Sequence, residues 1–283
     1  MSQPTKSEIL DALADYRKHI LEHNRRVFAQ LVLEAETAEA PADFDNETIA
    51  EARREFMYNQ LCVSRPHRLA ADDPRRINVP RDVLDRWDDL AAVPELALDG
   101  TTAEGGEGGA QRAAVSREQY RAGIEAGLRG MGGEEVAGQL QLQFPADFAV
   151  LMEHVNSLEG PGWPLYRENG QQVRFWDGLG EMGDAVAERV WTDLEGLKAK
   201  AGEKSWDVLA GWECGIGPDA TCFVVYYRDL EDQQKADWRW RYVVQLGPFS
   251  EVLDNVVELL DWYKTFNEPV LEDIDLVYGR VFD

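Results

Sequence analysis

SWDVLAGWECGIGPDATCFVVYYRD, Ser205 to Asp229, is the stretch that decides the fold. Trp206, Val208, Ala210 and Trp212 are apolar in alternation, the period of a half-buried strand. Cys222 to Tyr227, CFVVYY, is apolar on both faces and fits a central strand. Between them lie Gly215, Gly217, Pro218 and Asp219, residue types that reverse a chain. A third strand follows, in which Trp238, Trp240, Tyr242, Val244 and Leu246 alternate with Arg239, Arg241, Val243 and Gln245. One of its faces is aromatic and the other partly charged.

Helical patterns lie on either side. Pro145 starts a helix with Phe148, Leu151, Met152, Val155 and Leu158 inward, and Val173 to Trp176 reads as a short strand. Met182, Val186, Val190, Leu194 and Leu197 mark a long amphipathic helix. Ser250 is the expected cap of a last helix carrying Val252, Leu253, Val256, Val257, Leu260 and Tyr263. Helices followed by consecutive strands and a closing helix predict an α+β fold, an antiparallel sheet flanked by helices.

The chain ahead of this reads as a helical N-terminal region, residues 1–98. Thr5 and Glu8 have capping-box spacing, and Ile9, Leu13, Tyr16, Ile20, Val27 and Leu31 recur on one stripe. A second helix is predicted from Asn46 to Val63 and a third from Pro80, with Trp87 on its apolar face. The stretch from Asp99, DGTTAEGGEGG, has five glycines and no large apolar residue, so residues 99–113 are expected to be an acidic linker or loop. After it, Ser116 and Gln119 suggest a cap for a helix with Tyr120, Ile124 and Leu128 inward, which makes 114–283 the α+β domain.

Charge narrows the function. Fifty-three acids oppose 29 bases in 283 residues, a net charge of -24. Such a field repels phosphate backbones and anionic lipid heads and attracts basic proteins, so direct nucleic-acid binding is not expected. Cys62, Cys214 and Cys222 form neither a disulfide framework nor a zinc motif and read as reduced thiols. With no signal peptide or membrane-length apolar run visible, the expected location is cytoplasmic.

Catalytic signatures are thin. His19-Ile20-Leu21-Glu22-His23 matches the inverted zinc-peptidase pattern HxxEH, in which the histidines would hold zinc and Glu22 act as base. The apolar stripe already accounts for that helix and no third ligand is identifiable, so a solvated helix face is the expected role and no metal or cofactor is assigned. There is no GxSxG elbow or P-loop, and Gly215-Ile216-Gly217 is followed by strand rather than helix. Tryptophan is the residue left to interpret. Most aromatics beside a sheet fill cores, yet tryptophan is also enriched in interface hot spots. The candidate partner-binding residues are Trp163, held between prolines in GPGWPLY, with Trp176, Trp212, Glu213, Asp219 and Trp240.

From Phe144 to Tyr263 the order of segments resembles the Smi1/Knr4 domain of the SUKH superfamily. FPADFAVLMEHVNSLEG, Phe144 to Gly160, is similar to the family's first helix with its proline-acid start, and Asp177 to Lys200 to its second. The Trp-initiated hairpin of Ser205 to Asp229 and the closing LGPFSEVLDNVVELLDWY, Leu246 to Tyr263, complete the likeness. The resemblance implies binding without catalysis. Fungal members regulate cell-wall synthesis and stress signalling through protein contacts, and bacterial relatives are immunity proteins that neutralise toxins, many of them nucleases. The expectation is a non-catalytic interaction module with a basic protein partner. An immunity protein against a basic toxin is the alternative within that class, and an enzyme with an unrecognised acidic site the alternative outside it.

Overall fold

The fold is α+β, seen in a computed structural model that describes residues 3–63, 66–102, 109–130, 142–155, 157–158, 174–175, 190, 206–216, 220–246, 249–265 and 281–282. Helix α1 (Lys6–Thr37) opens on a complete capping box: the Thr5 side chain accepts from the Glu8 amide while the Glu8 carboxylate accepts from the Thr5 amide at 2.7 Å. Its stripe splits between two cores. Ile9, Leu13, Tyr16 and Ile20 enter a core beneath the sheet, whereas Val27, Phe28, Leu31, Val32 and Ala35 enter a separate N-terminal core.

The N-terminal core is completed by α2 (Asn46–Gln60), α3 (Asp82–Asp85) and α4 (Trp87–Ala91). Asp45, one residue before the expected start, caps α2 by accepting from the Thr48 amide at 2.8 Å. The helix expected from Pro80 breaks at Arg86 into two short pieces, yet Val83, Trp87 and Leu90 are buried as its stripe predicts. From the far end of the chain, Val281 and Phe282 return to this core.

Packing and strand pairing reach across the expected boundaries at residues 98 and 113. Half of α1 belongs to the sheet-side core, and the start of the expected linker is ordered. Strand β1 (Thr101–Thr102) pairs with β2 (Ser157–Leu158), and the Tyr16 hydroxyl donates to the Gly100 carbonyl at 3.0 Å. Helix α5 (Gly109–Gly130) begins inside the glycine-rich stretch, so Ser116 is a buried mid-helix residue rather than a cap. Residues 103–108 lie outside the described residues.

Helix α6 (Ala146–Met152) begins after Pro145 and stops short, which releases Leu158 into β2. Strand β3 (Arg174–Phe175) joins β2 to a meander of β4 (Trp206–Ile216), β5 (Ala220–Asp229), β6 (Arg239–Leu246) and β7 (Phe249–Leu253), antiparallel throughout and in sequence order. The long helix expected around Met182 to Leu197 lies outside the described residues, apart from Val190, which is buried in the sheet-side core. Ser250, the expected cap, instead falls in β7, paired with Gln245, because an edge was available beside β6. The closing helix α7 (Val256–Thr265) starts after Asn255, whose side-chain oxygen accepts from the Val257 amide at 3.0 Å and the Glu258 amide at 3.1 Å.

The alternation read in β4 is interrupted. A register shift between Val208 and Ala210 moves Val208 to the face of Val225, Tyr227 and Val243, while Ala210 and Trp212 join α1, α5, α6 and α7 on the other. A bulge adds one residue and so reverses every side chain beyond it. No helix among the described residues is long and apolar enough to cross a membrane.

Candidate interaction surface

Cross-strand register builds an aromatic cluster at one end of the sheet. Tyr226 pairs with Trp240, so both rings lie on one face with Trp238 two residues before. Tyr226 stacks on Trp238 with centroids 5.7 Å apart and meets Trp240 edge-on at 5.3 Å. The Arg228 guanidinium lies 4.7 Å over the Trp238 ring and is held there by Asp207 at 2.8 Å. All three rings are half-buried, so each keeps an open edge while its rotamer is fixed by a neighbour. Trp240 is further tied by its indole N–H, which donates to the Gln143 carbonyl at 2.8 Å.

The loop from β5 to β6 borders this cluster. Asp229 accepts from the Glu231 and Asp232 amides at 2.9 and 3.2 Å, an Asx turn that orders the loop start. Leu230 projects from it, 61% exposed, amid Glu231, Asp232 and Asp237. Burial opposes ionisation of Asp237, but the charges of Arg239 and Arg241 outweigh it and hold its carboxyl below the usual aspartate value. Burial raises the Tyr226 phenol, helped by the Asp237 charge, so it remains a neutral donor.

Behind the cluster, on the reverse face, lies a buried ionic network. Arg241 is 0% exposed, with Nε on Asp254 at 2.7 Å and Nη1 on the Tyr227 carbonyl at 2.7 Å. Its remaining donors reach the Asp237 carbonyl at 3.0 Å and carboxylate at 3.1 Å. Arg239 closes on the other Asp254 oxygen at 2.7 Å. Five donors on a planar guanidinium can satisfy such a site where an ammonium cannot. The network fixes the start of β6 against the segment leading to α7.

A second buried group works at distance. Asp147 of α6 accepts from the Val256 amide at 3.0 Å and the Tyr242 hydroxyl at 3.1 Å, and so caps a helix more than a hundred residues away in sequence. Burial pushes its carboxyl up, against the lowering effect of those bonds. Close by, Cys214 and Cys222 are buried free thiols, and burial pushes Cys214 well above the ordinary thiol value.

The residues expected to bind a partner do not form one patch. Trp212 is fully buried, its indole donating to the Tyr120 hydroxyl at 2.9 Å, so it is a core residue. Glu213 pairs with Phe223 on the face opposite Trp240. Trp163, Trp176 and Asp219 lie outside the described residues. Only Trp240 is in the cluster. The expectation of a solvated face for HxxEH is also corrected: His23 is buried and His19 half-buried, leaving Glu22 exposed. Among the described residues no three potential metal ligands come together.

Sequence reasoning placed Trp238 on an aromatic face but passed over it, and passed over Tyr226 and Arg228 as well. The signal was present in the alternation of WRWRYVV, but the register that brings CFVVYY alongside is set by pairing. Comparison of the chain with protein-family models, with curated proteins and with solved structures finds no match.

Proposed function

We propose that this chain is a non-catalytic protein-interaction module that captures a basic partner through the Tyr226–Trp238–Trp240 cluster. The observation that carries the reading is a set of stacked, half-exposed rings beside exposed Leu230 and an acidic rim. Rings already fixed by stacking lose little rotamer freedom on binding, which is why aromatic anchors dominate interface energetics. Asp232 and Asp237 are already paired, with Lys235 and with Arg239 and Arg241, so the exposed carboxylate of Glu231 and the net charge of -24 would steer a cationic surface onto the rings. The resemblance to the Smi1/Knr4 domain supports the same class of function, as regulator or as immunity protein, in the cytoplasm.

Affinity capture from the native host's lysate tests the proposal, using the intact chain and its Trp238→Ala variant at low and high salt. The expected result is a specific partner with a basic surface, retained by the intact chain, lost by the variant and weakened as salt screens the rim. A basic toxin or nuclease recovered near one to one assigns the immunity role, and signalling or cell-wall synthesis proteins the regulatory one. Equal retention by Trp238→Ala would remove the cluster from the interface, and retention indifferent to salt would remove the charge argument.

A further inference from the structure

The N-terminal core carries a cleft of about 480 Å³ on its outer side, remote in sequence from the aromatic cluster. One wall is a single face of α2, with Glu51, Arg54, Glu55 and Tyr58 at helical spacing. The other is the segment Arg76–Asn78, with His67 of the turn Pro66–Arg68 at one end. The walls are locked together. The Tyr58 hydroxyl donates to the Ile77 carbonyl at 2.9 Å and accepts from the Ile77 amide at 3.0 Å. Arg75 is clamped to Asp73 at 2.8 Å, and Arg86 holds the Arg76 carbonyl at 2.6 Å. The cleft is therefore preformed.

Two cations share the cleft without a carboxylate between them. Among the described residues, Arg75, Arg81, Arg121, Arg228, Arg239 and Arg241 all pair with carboxylates. The guanidiniums of Arg54 and Arg76 both line this cleft and, like those of Arg25, Arg53, Arg68 and Arg86 elsewhere, have no carboxylate partner among the described residues. Exposed His67 adds a third nitrogen donor, and Glu51 and Glu55, exposed on the same helix face, add acceptors. Neighbouring unpaired cations repel and gain when a compact anion bridges them. Two planar forks suit the tetrahedral oxygens of phosphate better than a single carboxylate.

We infer that this cleft binds a small soluble phosphomonoester that also carries an amino or hydroxyl group. Arg54, Arg76 and His67 hold the phosphate, and Glu51 or Glu55 accepts from the amine or hydroxyl. The volume suits a small molecule. The carboxylates and the net charge of the chain exclude a polyanion such as nucleic acid.

Calorimetric titration of the full chain with O-phosphoethanolamine, inorganic phosphate and ethanolamine tests this at constant ionic strength. Saturable one-to-one binding of O-phosphoethanolamine is expected, with weaker binding of phosphate and none of ethanolamine. Arg76→Gln should weaken both phosphate ligands about tenfold or more, the loss of a charge-assisted hydrogen bond. Glu51→Gln with Glu55→Gln should weaken O-phosphoethanolamine alone. These side chains lie at the surface, and an unchanged melting temperature checks that each variant is folded. Heats that do not saturate at millimolar ligand, or that survive Arg54→Gln with Arg76→Gln, would overturn the site. Vesicles of phosphatidylcholine and phosphatidic acid present the same phosphate on a membrane; capture there, without binding of the soluble ester, would overturn the soluble ligand.

Discussion

The core beneath the sheet and the N-terminal core share α1 but treat polar groups differently. The first is threaded with ionisable side chains: Asp147 is buried within it, and Arg241 and Asp254 are buried on the reverse face of the same sheet. The second is mostly apolar, with the amides Asn24 and Gln60 as its buried polar groups and the imidazole of His23 buried beside it on α1. Asn24 donates to the Leu98 carbonyl at 2.9 Å, a neutral bond that satisfies one loop carbonyl. The difference follows from architecture. A helical lobe satisfies its backbone internally, whereas a sheet packed between loops and helix ends must supply side-chain partners for the groups those ends leave over.

The largest test of the contrast is Arg241→Ala. It leaves Asp254 as an under-compensated buried carboxylate and should lower the unfolding free energy by about 3–5 kcal/mol in urea denaturation. Replacing Arg241 with Met and Asp254 with Leu together should recover much of that loss; a double variant as unstable as Arg241→Ala would mean that packing, not charge, dominates there. In the N-terminal core Leu31→Ala should cost about 2–5 kcal/mol, with no second substitution able to restore it short of refilling the volume. A loss under about 1 kcal/mol would show that this lobe collapses readily and is less tightly packed.

At the junction, Gly100→Ala should cost about 1–3 kcal/mol. Its φ is +72°, and an added Cβ would lie 2.8 Å from both the Tyr16 hydroxyl and Ile20. A neutral result in thermal melts would mean that the two cores are joined more loosely than the Tyr16–Gly100 bond implies.

Asp147 sharpens the comparison through pH. Burial raises its carboxyl above the ordinary 3.8, so just above that value the folded chain holds a proton that the unfolded chain has released. Stability carried by this group is therefore present at acid pH and declines as pH rises through the window. Asp15 and Asp73, held low by hydrogen bonds from Lys264 and Arg75, slope the other way, so the readout is the difference between the intact chain and Asp147→Asn. That difference should shift in the variant's favour as pH rises; a flat difference would deny the raised carboxyl. The smallest effect expected is Thr5→Ala, about 1 kcal/mol for the lost capping box, measured by denaturation.

Much of this architecture was legible in local patterns. The cap and stripe of α1, the double-sided β5 and the aromatic face of β6 all follow from periodicity, because each is decided by residues within one element. What escaped depends on partners distant in sequence. The same stripe in α1 serves two cores, and nothing local says that its coverings differ. Trp212 and Trp240 read alike in isolation, yet Tyr120 and the helices enclose one while the end of the sheet leaves the other half open. Asp147 has the look of an ordinary acid in a first helical turn, and only the fold brings Val256 to it. Ser250 resembles a cap because its competing role, pairing beside β6, is invisible without the sheet.

The reach of α1 bears on how the protein is made. The ribosome releases Ile9 to Ile20 early, but their covering in α7 emerges only after Thr265, about 250 residues later. At roughly 5–20 residues per second that is a wait of about 12–50 s, while the same helix's second half can meet α2, α3 and α4 within its own first hundred residues. The nascent chain thus carries a lobe that still awaits Val281 and Phe282, with an apolar stripe protruding from it. In the living cell that stripe is where a chaperone would be needed first.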